Sequence, residues 1–219
     1  FLAIDVDAGT VELAKTSSGA VHGTGRVDDI ATGATLRLAG TGGDQIFNGG
    51  TFQTSGGTLD LNGTDETVSV LNGSGTVTNS GAATTSNLTV SGTTDSTFSG
   101  VIEDGAGTVN LAKAGTSSLT LSGTNTYTGT TDVNAGTLVV TGEIGNGGPA
   151  GAVSVNGTSV LQSSGTIFAG PINVASGATL EATGNTTIGS AALNSFTGGG
   201  FLGTLLVGTH TVTLNDSGL

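Results

Sequence analysis

The chain has 219 residues, of which 41 are Gly; charged residues make up 9%, the net charge is −12, and there is no Cys. Only Lys15, Arg26, Arg37 and Lys113 are positive, so the surface cannot neutralise phosphates and nucleic-acid partners are excluded. The lack of Cys excludes a disulfide framework and thiolate metal sites, and no apolar run reaches the roughly 20 residues of a membrane span.

Short runs of alternating apolar and polar residues recur along the chain and predict strands with one buried side. In chain order they are Thr58–Leu61, Val68–Val70, Asn87–Val90, Val109–Leu111, Leu119–Leu121, Val153–Val155, Ile172–Val174 and Val212–Leu214. Leu, Val and Ile fill the buried positions, and Thr dominates the exposed ones. No window has the spacing of an amphipathic helix, so we expect an all-β protein. Disorder is not expected, because hydrophobic residues make up 35% of a sparsely charged chain.

Turn signals separate these runs and indicate tight corners, because Asn and Gly tolerate positive φ. They are Asn62-Gly63, Asn72-Gly73, Ser91-Gly92, Ser122-Gly123, Asn134-Ala135-Gly136 and Asn156-Gly157. Short strands at spacings of about 8–12 residues are typical of either a β-sandwich or a solenoid.

A recurring phrase favours the solenoid over the sandwich. Variants of it are GTVELA (9–14), GTLDLNG (57–63), GTVNLA (107–112), GTLVVTG (136–142) and GATLEATG (177–184). Stacked coils give every copy the same neighbours above and below, so one phrase serves in each. With two or three strands to a coil of about 20–25 residues, the sequence predicts about ten coils and a rod of roughly 50 Å.

We predict one solenoid segment over residues 1–219, with irregular insertions near 142–151 and 190–203, where the alternation weakens. The sequence has no Met and no signal peptide before Phe1, so we expect a fragment or processed part of a longer chain.

The stretch 97–142 closely resembles the autotransporter-associated β-strand repeat of bacterial passenger domains. The residues that carry the resemblance are Phe98–Ile102, Leu119–Gly123, Asn125–Gly129 and Val133–Leu138. Looser copies extend over 4–15 and 164–184. The chain has Lys113-Ala114-Gly115 where the family pattern has Lys-Thr-Gly.

The resemblance implies a right-handed parallel β-helix, export across the cell envelope and an extracellular or bacterial cell-surface location. It implies no activity, since members of the family serve mostly as stalks, adhesins and matrix components. The expected function is therefore a non-catalytic structural module. Expected partners are another copy stacked end to end, the rest of a longer chain, or a surface or carbohydrate ligand.

Candidate catalytic groups are few, and we predict no catalytic, cofactor-binding or metal-binding residues. His22 and His210 lack the motifs that accompany a nucleophile or a metal site. The acid pairs Asp28-Asp29, Asp65-Glu66 and Glu103-Asp104 suit either carbohydrate chemistry on a β-helix or, more simply, solvated corners. An enzyme acting on carbohydrates is therefore the first alternative function.

Two further patterns suggest binding. Asp5 and Asp7 share a face of an extended segment and could contribute to a Ca²⁺ site, and Gly42-Gly43-Asp44 is a fragment of a calcium-binding repeat. The ladder Thr124, Thr126, Thr128 and Thr130 would line one face of a fully extended strand. Such a row suits an ice- or surface-binding protein, which is the second alternative.

Overall fold

The computed structural model describes residues 2–17, 22–145, 151–190, 204–206, 209 and 212–215. Over these residues it contains no helix, and its strands pair only in parallel with strands one coil away. The expected all-β, parallel β-helical solenoid is confirmed.

In the described residues the longest sheet has ten strands, one from each successive coil, and we call it the long face. Its strands are β1 Ala3–Val6, β3 Arg26–Ile30, β5 Thr51–Thr54, β8 Val70–Gly73, β11 Ser96–Phe98, β14 Ser118–Leu121, β17 Thr137–Val140, β20 Val160–Ser163, β23 Thr179–Ala182 and β25 Thr204–Leu206.

The next strand of each coil belongs to the split face, which consists of two five-stranded sheets within the described ranges. The first contains β2 Thr10–Leu13, β4 Thr35–Leu38, β6 Thr58–Asp60, β9 Thr76–Thr78 and β12 Val101–Ile102. The second contains β15 Thr124–Asn125, β18 Glu143–Ile144, β21 Thr166–Ala169, β24 Thr186–Ser190 and β26 Val212–Asn215.

The third strand of a coil lies on the short face, a sheet of six strands in the part of the chain that the structure describes. They are β7 Glu66–Val68, β10 Thr85–Val90, β13 Thr108–Lys113, β16 Thr131–Val133, β19 Val153–Val155 and β22 Ile172–Val174. Complete coils therefore have three strands and a three-sided cross-section. The repeat is 19 residues between Leu119 and Leu138 and 25 between Gly73 and Phe98, close to the predicted range.

The core is a narrow apolar column inside these three faces. Leu119, Leu138, Leu161 and Leu180 stack in register on the long face, and each is at most 3% exposed. Burying such a side chain contributes about 1.5–3 kcal/mol. Because every coil adds the same kind of inward residue, the column needs no central aromatic cluster.

Two local predictions are wrong. The run Val68–Val70 spans a corner between β7 and β8: the chain bends at Ser69, whose Oγ donates to Gly50 O at 2.9 Å, and both valines point inward. Asn72-Gly73 lies in β8 and not in a turn. Gly73 still has φ +111°, and a Cβ there would lie 1.9 Å from Thr54 O, so only glycine fits.

The two predicted insertions fall largely at 146–150 and 191–203, outside the described residues. The described start of the first one, 142–145, contains the regular rung β18, whose Ile144 lies between Asn125 and Ile167 in the ladder.

Candidate functional site

The paired carboxylates at 28–29 do not meet at a common site. Asp28 forms an ion pair with Arg26, with Nε and Oδ1 2.5 Å apart, and this hydrogen bond holds the pKa of Asp28 below its ordinary value. Asp29 instead accepts hydrogen bonds from the backbone N–H and the Oγ of Ser55, both at 2.7 Å. Ser55 lies one coil further along, so Asp29 joins two coils.

Other carboxylates around the column also join two neighbouring coils. Asp65 accepts from the N–H of Asn87 at 2.8 Å, and Asp95 from the N–H of Ser118 at 2.8 Å. Asp104 accepts from the N–H of Thr128 at 3.0 Å. In each case the donor is 22–24 residues later, and we call these contacts inter-coil clips. The donors Asn87 and Ser118 lie in β10 and β14, and Thr128 lies between β15 and β16, so each clip joins a carboxylate to the backbone of the following coil.

Glu66 departs from the prediction of a solvated corner, because it is only 1% exposed. Its Oε2 accepts from the N–H of Gln45 at 2.8 Å and from that of Ile46 at 3.2 Å. Burial, reinforced by the nearby charge of Asp44, raises the pKa of Glu66 to about 8. The carboxyl group thus bonds to the backbone of Gln45 and Ile46 in the coil before β7.

The buried Gln45 continues this connection toward the first coil. Its Oε1 accepts from the N–H of Lys15 at 2.8 Å, and its Nε2 donates to Lys15 O at 3.3 Å and to Gly43 O at 2.6 Å. Side-chain amide and carboxyl groups therefore add to the backbone bonds between these coils, which include the isolated bridge between Thr24 and Ile46.

A surface network surrounds Asp60 on the split face. Asp60 accepts from Arg37 Nε at 2.9 Å, from Ser80 Oγ at 2.7 Å and N–H at 3.0 Å, and from the N–H of Asn62 at 3.0 Å. Burial alone would raise the pKa of Asp60, but these hydrogen bonds outweigh it and leave the pKa below its usual value. A carboxylate held in this way is ionised and occupied, which suits a structural role better than proton transfer.

Lys113 lies in an unexpected place, because its side chain is fully buried. On the short face it occupies a stack of inward valines, between Val90 in the preceding coil and Val133 in the next. Its ammonium donates to the carbonyls of Gly115 and Ala135, and desolvation lowers its pKa. The alternation of Val109, Leu111 and Lys113 in the sequence could have predicted that Lys113 faces inward. The alternation of Glu66 with Val68 could have predicted the same for Glu66.

The predicted threonine ladder 124–130 does not form one flat row. Only Thr124 lies in a strand; the chain then passes the corner between β15 and β16, and Thr128 Oγ1 donates to Asp104 Oδ2 at 2.5 Å. A different row exists on the split face, where Thr10, Thr35, Thr58 and Thr76 stack in register. Aligning the recurring sequence phrases at their Thr residues would have predicted this row. The charged row of Glu12, Arg37 and Asp60 runs beside it, so this surface is not a flat array of hydroxyls.

The other predicted candidates do not converge. Asp5 lies opposite Asp29 in register, and Asp7 is exposed just after β1. His22 packs its ring edge-on against Phe47, with centroids 5.3 Å apart, while His210 is outside the described residues. Among the residues described, no group of three His, Cys, Asp or Glu side chains could hold a metal ion. The same described residues contain no helix that is long and apolar enough to cross a membrane.

Two shallow grooves mark the corners of the early coils. One, of about 570 Å³, runs beside Ala39, Thr64 and Asp65. The other, of about 590 Å³, is lined by Asn48, Thr51, Asn72 and Asp95 among others. Both are lined by hydroxyl, amide and backbone groups with a single carboxylate each, which can bind hydroxyl-bearing ligands only weakly.

In comparison with known proteins, residues 111–140 match the family model of the passenger-associated-transport-repeat, so this stretch is similar to that repeat. It extends from the end of β13 to the end of β17, so it covers a full coil and includes Lys113. The repeat indicates a passenger-type β-helix module of a secreted or surface protein, and it confirms the resemblance seen in the sequence. The chain matches no curated protein and no solved structure.

Proposed function

We propose that the chain is a non-catalytic stalk or spacer in an exported bacterial surface protein. The observation that carries this proposal is the single apolar column. Every strand of the long face from Val27 to Leu180 contributes a buried apolar side chain to it. A column stiffened along its whole length holds two ends at a fixed distance. The passenger-type repeat at 111–140 supports the same role.

The chemistry of the acidic groups also supports a structural role. A β-helical enzyme needs two carboxylates facing one substrate. Here Asp29, Asp65, Asp95 and Asp104 each accept a backbone N–H from the following coil. Their charges are used to hold the coils together.

A deletion of one coil in register tests the spacer role. Removing Leu161–Thr179 joins Val160 to Leu180, which already stacks on Leu161 in the ladder. We expect a folded, surface-displayed protein whose ends are closer by about 4.8 Å, the rise of one rung. Distances between probes at the two ends measure the change. The matched control removes Leu161–Ala178, one residue fewer, which turns every following side chain to the wrong face and should prevent folding beyond Val160.

Two results would count against the proposal. One is release of reducing ends from a polysaccharide by the purified protein, abolished by substitution of a single carboxylate. The other is an in-register deletion that folds and is displayed but abolishes the function of the surface protein. Shortening a spacer should reduce its length and leave that function in place.

We also propose that the first rung can pair with a second copy. The edge of β1 that faces away from β3 has no partner strand among the described residues. Leu2 and Val6 direct their carbonyls to Gly25 and Ala31 in the next coil. Because residues of a parallel strand alternate in the side to which they bond, the N–H and C=O of Ala3 and Asp5 face the open edge. An exposed edge of this kind is a template for another strand.

A further inference from the structure

Asn-Gly sequences occur at four places in the described chain, and their surroundings differ sharply. They are Asn48-Gly49, Asn62-Gly63, Asn72-Gly73 and Asn156-Gly157. Asparagine followed by glycine is the pair most prone to rearrange, because the glycine N–H is unhindered and can reach the side-chain carbonyl. Whether it reacts in a folded protein depends on how firmly the amide group and the following N–H are held.

Three of the four pairs are held. Asn62 donates from Nδ2 to Leu38 O at 3.1 Å, and the N–H of Gly63 donates to Asn79 Oδ1 at 2.8 Å. Asn72 lies within β8, where its Oδ1 accepts from the N–H of Thr97 at 2.9 Å.

Both the side chain and the backbone of Asn156 form hydrogen bonds. Its Nδ2 donates to Asn134 Oδ1 at 3.0 Å, its N–H donates to Val133 O, and its carbonyl accepts from the N–H of Ser159.

Asn48 differs from these three. Both Asn48 and Gly49 are exposed, and among the described residues neither the Asn48 side chain nor the Gly49 N–H has a hydrogen-bond partner. The N–H of Gly50 donates to Phe47 O at 2.5 Å, and the carbonyl of Gly49 accepts from Ser69 Oγ at 3.1 Å. The amide group of Asn48 and the N–H of Gly49 can therefore approach each other without first losing a hydrogen bond of their own.

We infer that Asn48 is a site of selective deamidation in the folded protein. The backbone nitrogen of Gly49 attacks Cγ of Asn48 and loses its proton to water, forming the N–Cγ bond as the Cγ–Nδ2 bond breaks. Nδ2 takes up a proton from water and leaves as ammonia, and the product is a five-membered succinimide. Water then adds to one of its two carbonyls and opens the ring, giving aspartate or isoaspartate at position 48.

The product changes the surface of the column. A new negative charge lies in the groove that already holds Asp95. The isoaspartate form also lengthens the backbone of the turn that leads into β5. The modification thus converts a neutral amide corner into an acidic one without touching the apolar core.

The test is peptide mapping of the intact protein after incubation at mildly alkaline pH. We expect the amide-to-acid mass change at position 48 to appear about tenfold faster than at Asn62, Asn72 or Asn156, because each of those pairs must first lose at least one hydrogen bond. Asn146-Gly147, outside the described residues, is followed as a separate peptide. Equal rates at the four described pairs, or a slower rate at Asn48, would overturn the inference.

Three controls separate local freedom from unfolding. In concentrated urea the four rates should converge, since the folded contacts are gone. Gly49→Ala, which crowds the attacking nitrogen, should slow conversion at Asn48 in both states. Asn134→Ala removes an exposed acceptor and should speed conversion at Asn156 several-fold while circular dichroism stays unchanged. If urea leaves the folded ratio of rates intact, the ratio reflects local sequence and the inference is wrong.

Discussion

Glu66 shows how one buried carboxyl group can set the pH dependence of the early coils. Its pKa is raised to about 8 from an ordinary value of 4.5, first by burial and then by Asp44. The folded protein therefore holds this proton between about pH 4.5 and 8, where the unfolded chain has lost it. By linkage the free energy of unfolding falls as the pH rises through this window.

Glu66→Gln keeps an acceptor for the N–H groups of Gln45 and Ile46 but cannot ionise. We expect the variant to lose the wild-type decline in unfolding free energy between about pH 5 and 8, a decline of at most about 5 kcal/mol. Urea unfolding at a series of pH values measures both slopes. Asp44→Asn, which removes the neighbouring charge, should weaken the slope. Identical slopes in the wild type and Glu66→Gln would show that Glu66 does not titrate in this window.

Lys113 raises a different question, because a buried ammonium replaces a valine in an otherwise apolar stack. Its long aliphatic stem fills the space, and its charge is offset by the carbonyls of Gly115 and Ala135 and by the charge of Asp95. Replacing a buried charged group by an apolar one of similar volume is often close to neutral, whereas leaving a cavity is not.

We therefore expect Lys113→Met to change the free energy of unfolding by less than about 1.5 kcal/mol. Lys113→Ala should lower it by about 2–4 kcal/mol through the cavity it leaves. Urea unfolding of the two variants and the wild type measures both changes in the free energy of unfolding. Equal large losses in both would mean that the hydrogen bonds of the ammonium, and not its packing, hold the two coils together.

At this scale the sequence predicts which side of a strand a residue faces but not what a polar residue does there. Alternation places Glu66 and Lys113 inward with their valine neighbours. Their partners, such as Ile46 and Ala135, are backbone atoms 20 and 22 residues away. Such distant contacts depend on the coil length, which varies from 19 to 25 residues on the long face and cannot be derived from local propensity.

The strands and corners of the column differ in how they are specified. Strands such as β10 and β13 follow directly from apolar alternation, and the sequence predicts them. Corners depend on particular side chains. Asn79 is fully buried where β9 ends, and its Oδ1 accepts from the N–H groups of Gly63 at 2.8 Å and Gly81 at 3.0 Å. Its Nδ2 donates to Thr108 O at 3.0 Å, so one amide group connects three coils.

Asn79→Ala should lower the free energy of unfolding by about 2–4 kcal/mol, because it removes the hydrogen bonds to the N–H groups of Gly63 and Gly81 and to Thr108 O at a fully buried position. The matched control is Asn72→Ala, which removes a single bond to Thr97 on the more exposed surface and should cost about 0.5–1.5 kcal/mol. Hydrogen exchange of the Gly63 and Gly81 amides measures the local effect. Unchanged protection of both amides in Asn79→Ala would contradict this account of the corner.

On the scale of the whole molecule, every coil contacts mainly its two neighbours, so stability is close to a sum of coil and interface contributions. This explains why the fold class could be predicted from a repeated phrase: each copy needs only a copy above and below. Three strands per coil could not be predicted in the same way. That number follows from where the corners fall, and the corners at Ser69 and after Thr124 interrupt apparently continuous patterns.

The same nearest-neighbour logic applies to the edge of β1 that has no partner strand among the described residues. A second copy that pairs with β1 would continue the long face with the bonds that β1 already makes to β3. The amides available for this are those of Ala3 and Asp5, and Asp5 is exposed. We therefore expect the mean size of the particles to grow with protein concentration.

Asp5→Pro tests this expectation, because proline removes the N–H that faces the open edge and leaves the bonds toward β3 in place. We expect the variant to stay smaller than the wild type across a concentration series in analytical ultracentrifugation, with unchanged circular dichroism. Asp5→Ala is the matched control: it removes the charge but keeps the N–H, so it should associate at least as well as the wild type. A wild type that remains monomeric at all concentrations, or an Asp5→Pro variant that associates equally well, would show that this edge does not pair.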